Sequence, residues 1–301
     1  MSLSSYLESR RAEVDAALAA LLPGPPDTPP VVADAMRYSV TAGGKRLRPI
    51  LCLASAEAVG GDRAAAMPAA CARELIHTYS LIHDDLPAMD NDTMRRGRPT
   101  LHVVAGEGMA ILAGDGLLTE AFAVLSRDAA RRDGAHAQRT LRVIETIAVA
   151  AGPSGMVGGQ AIDLASVAAT AASALDGNGL KVMHGKKTGA LIRAAAVSGA
   201  IMGGAPDAAI DAIDRAAAEF GLAFQIVDDL LDVEGTSQEI GKTAGKDAAA
   251  GKPTYPALFG IDASRVMAND CLQRAEAALA NAGLADSRLL DIGRWIVSRG
   301  N

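Results

Sequence analysis

Helical periodicity extends along almost the whole chain of 301 residues and restricts its fold more than any other feature. Apolar residues recur three and four positions apart, as on one face of a helix. Alanine is prominent among them, and it favours helix over sheet. Because no window alternates with a period of two, we expect essentially no sheet. The sequence predicts one all-α domain over residues 1–301, a bundle of about ten or more helices.

The composition excludes several classes of protein. Lys and Arg number 29 against 35 Asp and Glu, which gives a net charge of −6. Nucleic-acid-binding proteins usually carry a basic surface. Aromatic residues make up only 3% of the chain, so the stacking platforms of single-strand binders are missing. We therefore expect no nucleic-acid partner.

The cysteines and the apolar segments indicate a cellular location. Cys52, Cys71 and Cys271 are far apart and form no C-x-x-C motif, which argues against a disulfide framework or a zinc site. The first residues contain no apolar stretch as long as that of a signal peptide. No uncharged stretch has the length and composition of a membrane span. We expect a cytoplasmic protein without a membrane span.

Two aspartate clusters lie at the carboxyl ends of long apolar helices, which we predict over Ala65–Leu86 and Ala208–Val233. The clusters consist of Asp84, Asp85 and Asp90, and of Asp228, Asp229 and Asp232. A helix carboxyl end carries partial negative charge, so a nearby positive charge should offset the cost of placing acids there. Asp228 and Asp232 share a helix face, about 40° apart, whereas Asp84 and Asp90 converge only if Pro87 breaks the helix.

The type of ligand atom indicates which metal the two clusters would hold. Oxygen ligands without neighbouring His or Cys favour Mg²⁺ over zinc or iron, with Mn²⁺ as a substitute. Mg²⁺ keeps several waters and is commonly completed by phosphate oxygens of a substrate. A single Asp-Asp pair is more often a solvated helix end, but two clusters embedded in apolar helices favour a metal site.

Basic residues beside glycines supply the opposite charge. Lys45 and Arg48 follow a glycine pair, at a spacing that would place them on one helix face. The others are Arg95, Arg96, Lys186, Lys187, Lys242 and Lys252. Each alone is more often a surface residue, but cations for phosphate beside acids for a metal indicate a diphosphate site. No G-x-x-x-x-G-K-[ST] motif follows a strand, which excludes a P-loop.

These motifs occur in one order along nearly the whole chain, from Gly43 to Pro256, and include the segments 155–164 and 184–192. In that order they resemble the trans-isoprenyl diphosphate synthases, or polyprenyl synthetases, and most closely the bacterial farnesyl diphosphate synthases. The resemblance implies a helical bundle around a central cavity, usually a homodimer. It also implies a head-to-tail condensation of isopentenyl diphosphate with dimethylallyl or geranyl diphosphate. Ionisation, condensation and elimination would give (2E,6E)-farnesyl diphosphate and diphosphate.

The resemblance assigns roles to individual residues. Mg²⁺ would be held by Asp84, Asp90 and Asp228. The carboxylates that assist directly or through water would be Asp85, Asp229 and Asp232. The cations that bind the allylic diphosphate would be Arg95, Lys187, Lys242 and Lys252. The residues that bind isopentenyl diphosphate would be Lys45, Arg48, His77 and Arg96. The oxygens that face the carbocation, as fixed dipoles aimed at developing charge, would belong to Thr188 and Gln225.

Product length follows, by the same resemblance, from the floor of the cavity at Tyr79 and Ser80. A bulky Tyr79 favours a product that stops at farnesyl (C15), and a small residue would favour geranylgeranyl (C20) or longer. Helix geometry places Ser80 one turn below Asp84 but Tyr79 about 140° away around the helix. Geometry alone therefore leaves a second interpretation, in which Tyr79 is an ordinary core residue. A geranylgeranyl diphosphate synthase of the same family is the alternative.

Three further functions compete with this interpretation. A terpene cyclase shares the bundle and an acidic motif, but it needs no second diphosphate site. A non-catalytic subunit of a heteromeric synthase has no need for intact acids and cations. A di-iron bundle needs Glu-x-x-His motifs, which the sequence lacks. Relatives often end in a basic tail that can reach the isopentenyl diphosphate. Only Arg299 of such a tail is present here, so the sequence does not decide whether a tail closes over this site.

Overall fold

Helices account for nearly all of the regular structure in the computed structural model, which describes residues 1–167, 175–234 and 253–299. The prediction of an all-α fold is confirmed. Lys242 and Lys252, which we expect in the diphosphate site, lie outside the described residues.

Most of the helices in the described part of the chain follow one another through short connections. In chain order they are α1 (Leu3–Leu21), α2 (Pro30–Val40), α3 (Leu47–Ala58), α4 (Arg63–Asp84), α5 (Leu101–Ala105), α6 (Glu107–Ala130), α7 (Gly134–Ala151), α8 (Met156–Val167), α9 (Gly177–His184), α10 (Ala190–Met202), α11 (Asp207–Glu234), α12 (Tyr255–Phe259), α13 (Ile261–Ala280) and α14 (Arg288–Ser298). Two short antiparallel strands, β1 (Met94–Arg95) and β2 (Arg98–Pro99), form a hairpin between α4 and α5. The sequence did not predict this hairpin, because two residues are too few to show a period.

The α4 helix lies at the centre of the bundle, against α3, α6 and α10. It begins after Asp62, whose side chain accepts a hydrogen bond from the backbone N–H of Ala64 and so caps the helix. The neighbouring α3 is buried from Pro49 to Ala56. Gly199 lets α10 approach α3 closely, since a Cβ there would collide with the carbonyl oxygen of Cys52. This close packing holds α3, α4 and α10 in a fixed relation.

The sequence predicts one uninterrupted helix from Leu180 to Met202, and the structure differs from this prediction. Instead α9 ends at His184, and one turn of π-helix, Gly185–Gly189, precedes α10. Single π-helical turns occur frequently at functional sites. This one carries Lys187 and Thr188 and packs against α8 and α11. The apolar spacing on both sides is helical, so periodicity does not reveal the wider turn.

One helix in the described part of the chain, α6, is long and apolar enough by length and composition to cross a membrane. Its most apolar window of 18 residues has a mean hydropathy of 1.5, and 39% of that window is buried. The core helix of a bundle can have the same composition, and α6 packs along the central α4. Its other side exposes Ile111 and Leu112.

Candidate active site

The chain reverses at the end of α4 and brings the backbone of Asp90 to Asp84. The helix ends at Asp84, before Pro87. The backbone N–H of Asp90 donates to the carbonyl oxygen of Asp84 at 2.9 Å. Asn91 follows with a left-handed φ of 52°. The break that these two aspartates require is therefore present.

Asp84 lies in surroundings that disfavour its negative charge. The pKa of this carboxyl is raised from 3.8 to about 6, mainly by burial and also by the charges of Asp90 and Asp85, against the opposing effect of Lys187 and Arg95. Gln160 on α8 donates a hydrogen bond to the Asp84 carboxylate at 2.5 Å. A cation bound beside Asp84 would therefore stabilise the charged form of this carboxyl.

Asp85 points inward and holds Arg95. The residue is 4% exposed, and its carboxylate accepts from Arg95 at 2.6 Å (Nη2) and at 2.8 and 2.9 Å (Nε). Burial raises the pKa of Asp85, and the hydrogen bonds and charge of Arg95 oppose that rise. The first cluster thus contains one carboxyl that orients a cation, beside two that lie at the reversal of the chain.

The second cluster, on α11, also divides into two kinds of carboxyl. Asp229 is 5% exposed and accepts from Gln225 Nε2 and from the backbone N–H of Tyr255, both at 3.0 Å. Asp228 is more open, with its side chain 40% exposed, and Arg299 Nη2 lies 3.2 Å from its Oδ1. Asp228 is therefore the member that can exchange its partner for a bound ion.

The π-helical turn places two polar side chains beside these clusters. Lys187 Nζ lies 2.5 Å from Oδ2 of Asp163, and its positive charge opposes the raised pKa of Asp84. Thr188 donates from Oγ1 to Oε1 of Gln225 at 3.2 Å. Gln225 in turn donates to Asp229, so a chain of hydrogen bonds fixes the Thr188 oxygen.

A second group of cations forms between α3, α4 and the hairpin. Arg48 Nη1 lies 3.2 Å from His77 Nε2. Arg96 donates to the carbonyl oxygen of Gly43, two residues before Lys45. Burial lowers the pKa of His77 well below its ordinary value, and Arg48 and Arg96 lower it further, so the ring is neutral and Nε2 accepts from Arg48. The structure therefore brings Arg48, His77 and Arg96 together.

Lys45 differs from the prediction that it shares a helix face with Arg48. The α3 helix begins only at Leu47, after Arg46 in a left-handed conformation with φ of 50°. The Lys45 ammonium lies 5.8 Å from the centre of the Trp295 ring on α14. Arg46, which the sequence left without a role, is buried and pairs with Glu74 and Asp15 at 2.7 Å each.

Electrostatic effects connect the second acidic cluster to these cations. Burial lowers the pKa of Lys45 and of Arg48, and the negative charge of Asp228 opposes the change in both.

Among the described residues, no group of three or more His, Cys, Asp or Glu is placed to hold a metal ion by itself. Mg²⁺ typically takes only one or two carboxylates and completes its shell with water and phosphate, so this donor set fits it.

Tyr79 and Ser80 lie below Asp84 on α4. Tyr79 is 7% exposed, and its ring meets His83 edge to face at 5.7 Å. Burial raises the pKa of Tyr79, and the charge of Asp84 adds to the rise. Ser80 donates from Oγ to the carbonyl oxygen of His77 at 2.9 Å. Both lie near the first cluster, with the Tyr79 ring in the core.

Sequence reasoning missed the two partners that α8 supplies, Gln160 and Asp163. Both lie in the segment 155–164 that carries part of the resemblance, and they are three residues apart on one face of a mostly small and apolar helix. Two polar residues with that spacing were an available indication. Their contacts with Asp84 and Lys187 span 76 and 24 residues of sequence, which no local pattern predicts.

Comparison with known proteins gives a consistent picture. A sequence model of the polyprenyl synthetase family matches residues 29–282. The farnesyl diphosphate synthase of Geobacillus stearothermophilus is 43% identical over 99% of this chain and 98% of its own. The geranylgeranyl diphosphate synthase of Cyanophora paradoxa is 43% identical over 100% of this chain and 97% of its own. The structure of an FPP/GFPP synthase from Zymomonas mobilis is 39% identical, with a TM-score of 0.85 over 98% of this chain and 99% of that one.

Proposed function

The chain belongs to the polyprenyl synthetase family and is a prenyltransferase, and we propose that it condenses isopentenyl diphosphate with dimethylallyl or geranyl diphosphate to give farnesyl diphosphate. Prenyl synthases of this family use isoprenoid diphosphate substrates. One observation carries the proposal: two groups of cations flank the acidic clusters. Arg95 is held by Asp85 and Lys187 by Asp163, whereas Arg48 contacts His77 and Arg96 donates to Gly43. Two groups fit two diphosphates, whereas a cyclase needs one.

Enzymes of this family use a divalent metal. We propose Mg²⁺ ions, which Mn²⁺ can replace, with Asp84 and Asp90 as protein ligands on one side and Asp228 on the other. The raised pKa of Asp84 supports this assignment, because burial and the neighbouring carboxylates disfavour its negative charge and an added cation offsets both effects. When bound, the metal neutralises charge on the departing diphosphate.

The allylic substrate would bind at the first cation group. Arg95, oriented by Asp85, and Lys187 hold its diphosphate, together with Lys242 and Lys252 from outside the described residues. The allylic C–O bond breaks, and its electron pair leaves with the diphosphate. The Thr188 hydroxyl uses its hydrogen to bond Gln225, so its lone pairs are available to the carbocation.

The second substrate would bind at the other cation group, formed by Lys45, Arg48, His77 and Arg96. The double bond of isopentenyl diphosphate attacks the allylic carbon, and the new C–C bond moves the positive charge to the adjacent carbon. A proton then leaves to the departed diphosphate, which restores a double bond. Neutral His77 supports the binding of isopentenyl diphosphate, because it accepts a hydrogen bond from Arg48 and holds that guanidinium in place.

Product length would be set by Tyr79, whose buried ring below Asp84 supports termination at C15. A C20 product is the second candidate, because the relative from Cyanophora paradoxa is a geranylgeranyl diphosphate synthase at the same 43% identity. Incubation with isopentenyl and dimethylallyl diphosphates and Mg²⁺, followed by chromatography of the prenyl alcohols, separates the two. We expect C15 from the wild type and longer chains from Tyr79→Ala. A C20 product from the wild type would favour the second candidate.

We further propose a cytoplasmic homodimer. Its support is an apolar face on α5 and α6 that stays exposed, where Val103, Val104, Ile111 and Leu112 are 51%, 54%, 43% and 54% exposed. The three cysteines are free thiols, as in a reducing compartment. Sedimentation equilibrium of the wild type and of Leu112→Asp measures the state, and we expect a dimer and a monomer respectively. A monomeric wild type would contradict the proposal.

A further inference from the structure

Arg73 is a buried cation with no part in the mechanism above. It lies in α4, is 0% exposed, and donates from Nη2 to the carbonyl oxygen of Leu191 at 2.5 Å. Within the described part of the chain, its Nε and Nη1 atoms have no hydrogen-bond partner. Burial lowers its pKa to about 9, and among the residues that the structure describes the charges that act on it come from Arg48 and Cys52 and not from a carboxyl. A guanidinium in this position lacks the compensation that a buried charge ordinarily has.

The position of Arg73 connects it to the proposed isopentenyl diphosphate site. It precedes His77 by four residues, so both lie on one face of α4, about 40° apart and one turn from each other. Arg48 contacts His77 at 3.2 Å, and the charge of Arg48 lowers the pKa of Arg73. Arg73 therefore lies one helical turn from His77, fully buried and close enough to Arg48 for their charges to interact.

The nearest buried acid on the same helix does not neutralise this charge. Glu74 is 2% exposed, and its carboxylate is taken by Arg46 at 2.7 Å. Glu74 and Asp228 attract the half-buried Arg48, whereas the fully buried Arg73 is repelled by Arg48. An anion bound in front of Arg48 would be attracted by both, and the low dielectric of the interior would keep the second attraction strong.

We propose that Arg73 is a positioning residue of the isopentenyl diphosphate site, whose buried charge acts through Arg48 and His77 to strengthen diphosphate binding and makes the free protein less stable. The inference rests on the proposed function, because it takes that site as given. A merely structural alternative is that Arg73 ties α4 to α10 through its bond to Leu191. Substitutions can separate these two roles, because the structural role requires only a hydrogen-bond donor to Leu191 whereas the positioning role requires a positive charge at residue 73.

Two substitutions make that separation. Arg73→Gln keeps a hydrogen-bond donor for Leu191 and removes the charge, whereas Arg73→Lys keeps both. Calorimetry would measure the binding of isopentenyl diphosphate and of inorganic pyrophosphate without metal, and scanning calorimetry would measure the Tm of each free protein. We expect Arg73→Gln to bind isopentenyl diphosphate about tenfold more weakly, with an equal or higher Tm in the free state. Arg73→Lys should bind like the wild type.

Steady-state kinetics provides a measurement that a structural role would not change selectively. We expect Arg73→Gln to raise KM for isopentenyl diphosphate about tenfold and to leave KM for the allylic substrate unchanged. Wild-type affinity in Arg73→Gln, or an equal loss for both substrates, overturns the inference and leaves the proposed function intact. A wild type that binds the allylic substrate but not isopentenyl diphosphate overturns the proposed site itself. If Arg73→Gln does not fold, Arg73→Met replaces it; because Met removes the donor and the charge together, a rise in KM confined to isopentenyl diphosphate is then the result that supports the inference, and an equal rise for both substrates overturns it.

Discussion

Arg299 Nη2 lies 3.2 Å from a carboxylate oxygen of Asp228, on the second acidic cluster. The arginine side chain is 6% exposed, and its guanidinium carbon lies 4.1 Å from the centre of the Phe224 ring and 5.5 Å from that of Trp295. Burial lowers the pKa of Arg299, and Asp228 opposes this effect. The pair occupies the carboxylate that we propose as a metal ligand, so a metal must displace or share it.

Removal of Arg299 should therefore tighten metal binding. We expect Arg299→Gln to lower the Mg²⁺ concentration at half saturation about tenfold, because a competing cation near the Asp228 oxygen is gone. The fluorescence of Trp295, the single tryptophan, measures the titration in the presence of pyrophosphate. Arg294→Gln is the matched control, since Arg294 pairs with Glu276 on the surface. Equal half-saturation in Arg299→Gln and the wild type would show that the pair does not compete with metal.

The raised pKa of Asp84 predicts how stability depends on pH in the metal-free protein. An acid whose pKa rises from 3.8 to about 6 on folding binds its proton more tightly in the folded state. Below pH 3.8 the carboxyl is protonated in both the folded and the unfolded state, so it does not change the free energy of unfolding. The free energy of unfolding then falls as pH rises from about 4 to about 6, and it stays lowered above that range.

Asp84→Asn should remove this penalty. We expect it to raise the free energy of unfolding by on the order of 2 kcal/mol at pH 7 and to have little effect at pH 4. Urea denaturation at both pH values, without metal, measures the difference. Asp27→Asn in an exposed loop serves as the control. A variant less stable than the wild type at pH 7 would contradict the electrostatic account of this cluster.

His77 should stay neutral across the physiological range, because burial and the neighbouring arginines lower its pKa well below 6.5. A base with a lowered pKa binds its proton less tightly when folded, so stability is present above pH 6.5 and decreases as the pH falls. A proton NMR titration should show one imidazole signal, absent in His77→Gln, that does not move between pH 8 and 6. A midpoint near 6.5 for that signal would place His77 in solvent.

Thr188 should contribute to the chemical step rather than to binding. Thr188→Val replaces the hydroxyl with a methyl group of similar size, and we expect kcat to fall on the order of 100-fold with KM nearly unchanged. Thr188→Ser, which keeps the oxygen, should retain most of the activity. Single-turnover kinetics measures the step directly. A Thr188→Val enzyme whose loss lies in KM would assign Thr188 to substrate binding.

The sequence predicts the helices well and identifies the acidic clusters as candidate ligands, because both depend on local spacing. Asp84 and Asp228 stand out as acids at the carboxyl ends of apolar helices. The partners that decide how each acid behaves are distant in sequence: Gln160 for Asp84, Arg299 for Asp228 and Asp163 for Lys187. Only packing brings such pairs together, so single-sequence reasoning cannot find them.

Two local features also escaped prediction, for different reasons. The π-helical turn at Gly185–Gly189 has helical apolar spacing on both sides, so its extra residue leaves no mark in the period. Arg73 lies among apolar residues of α4, where a single arginine ordinarily indicates an exposed face. Its burial follows from the packing of α4 against α10, which the pattern of one helix does not contain.

The most direct test measures diphosphate release from isopentenyl and dimethylallyl diphosphates in the purified wild type, Asp84→Asn and Asp228→Asn. The account predicts Mg²⁺-dependent release by the wild type, and a loss on the order of 1000-fold in each variant while circular dichroism shows an intact helical fold. Undiminished release by either folded variant would contradict the claim that the two acidic clusters act together on one departing diphosphate.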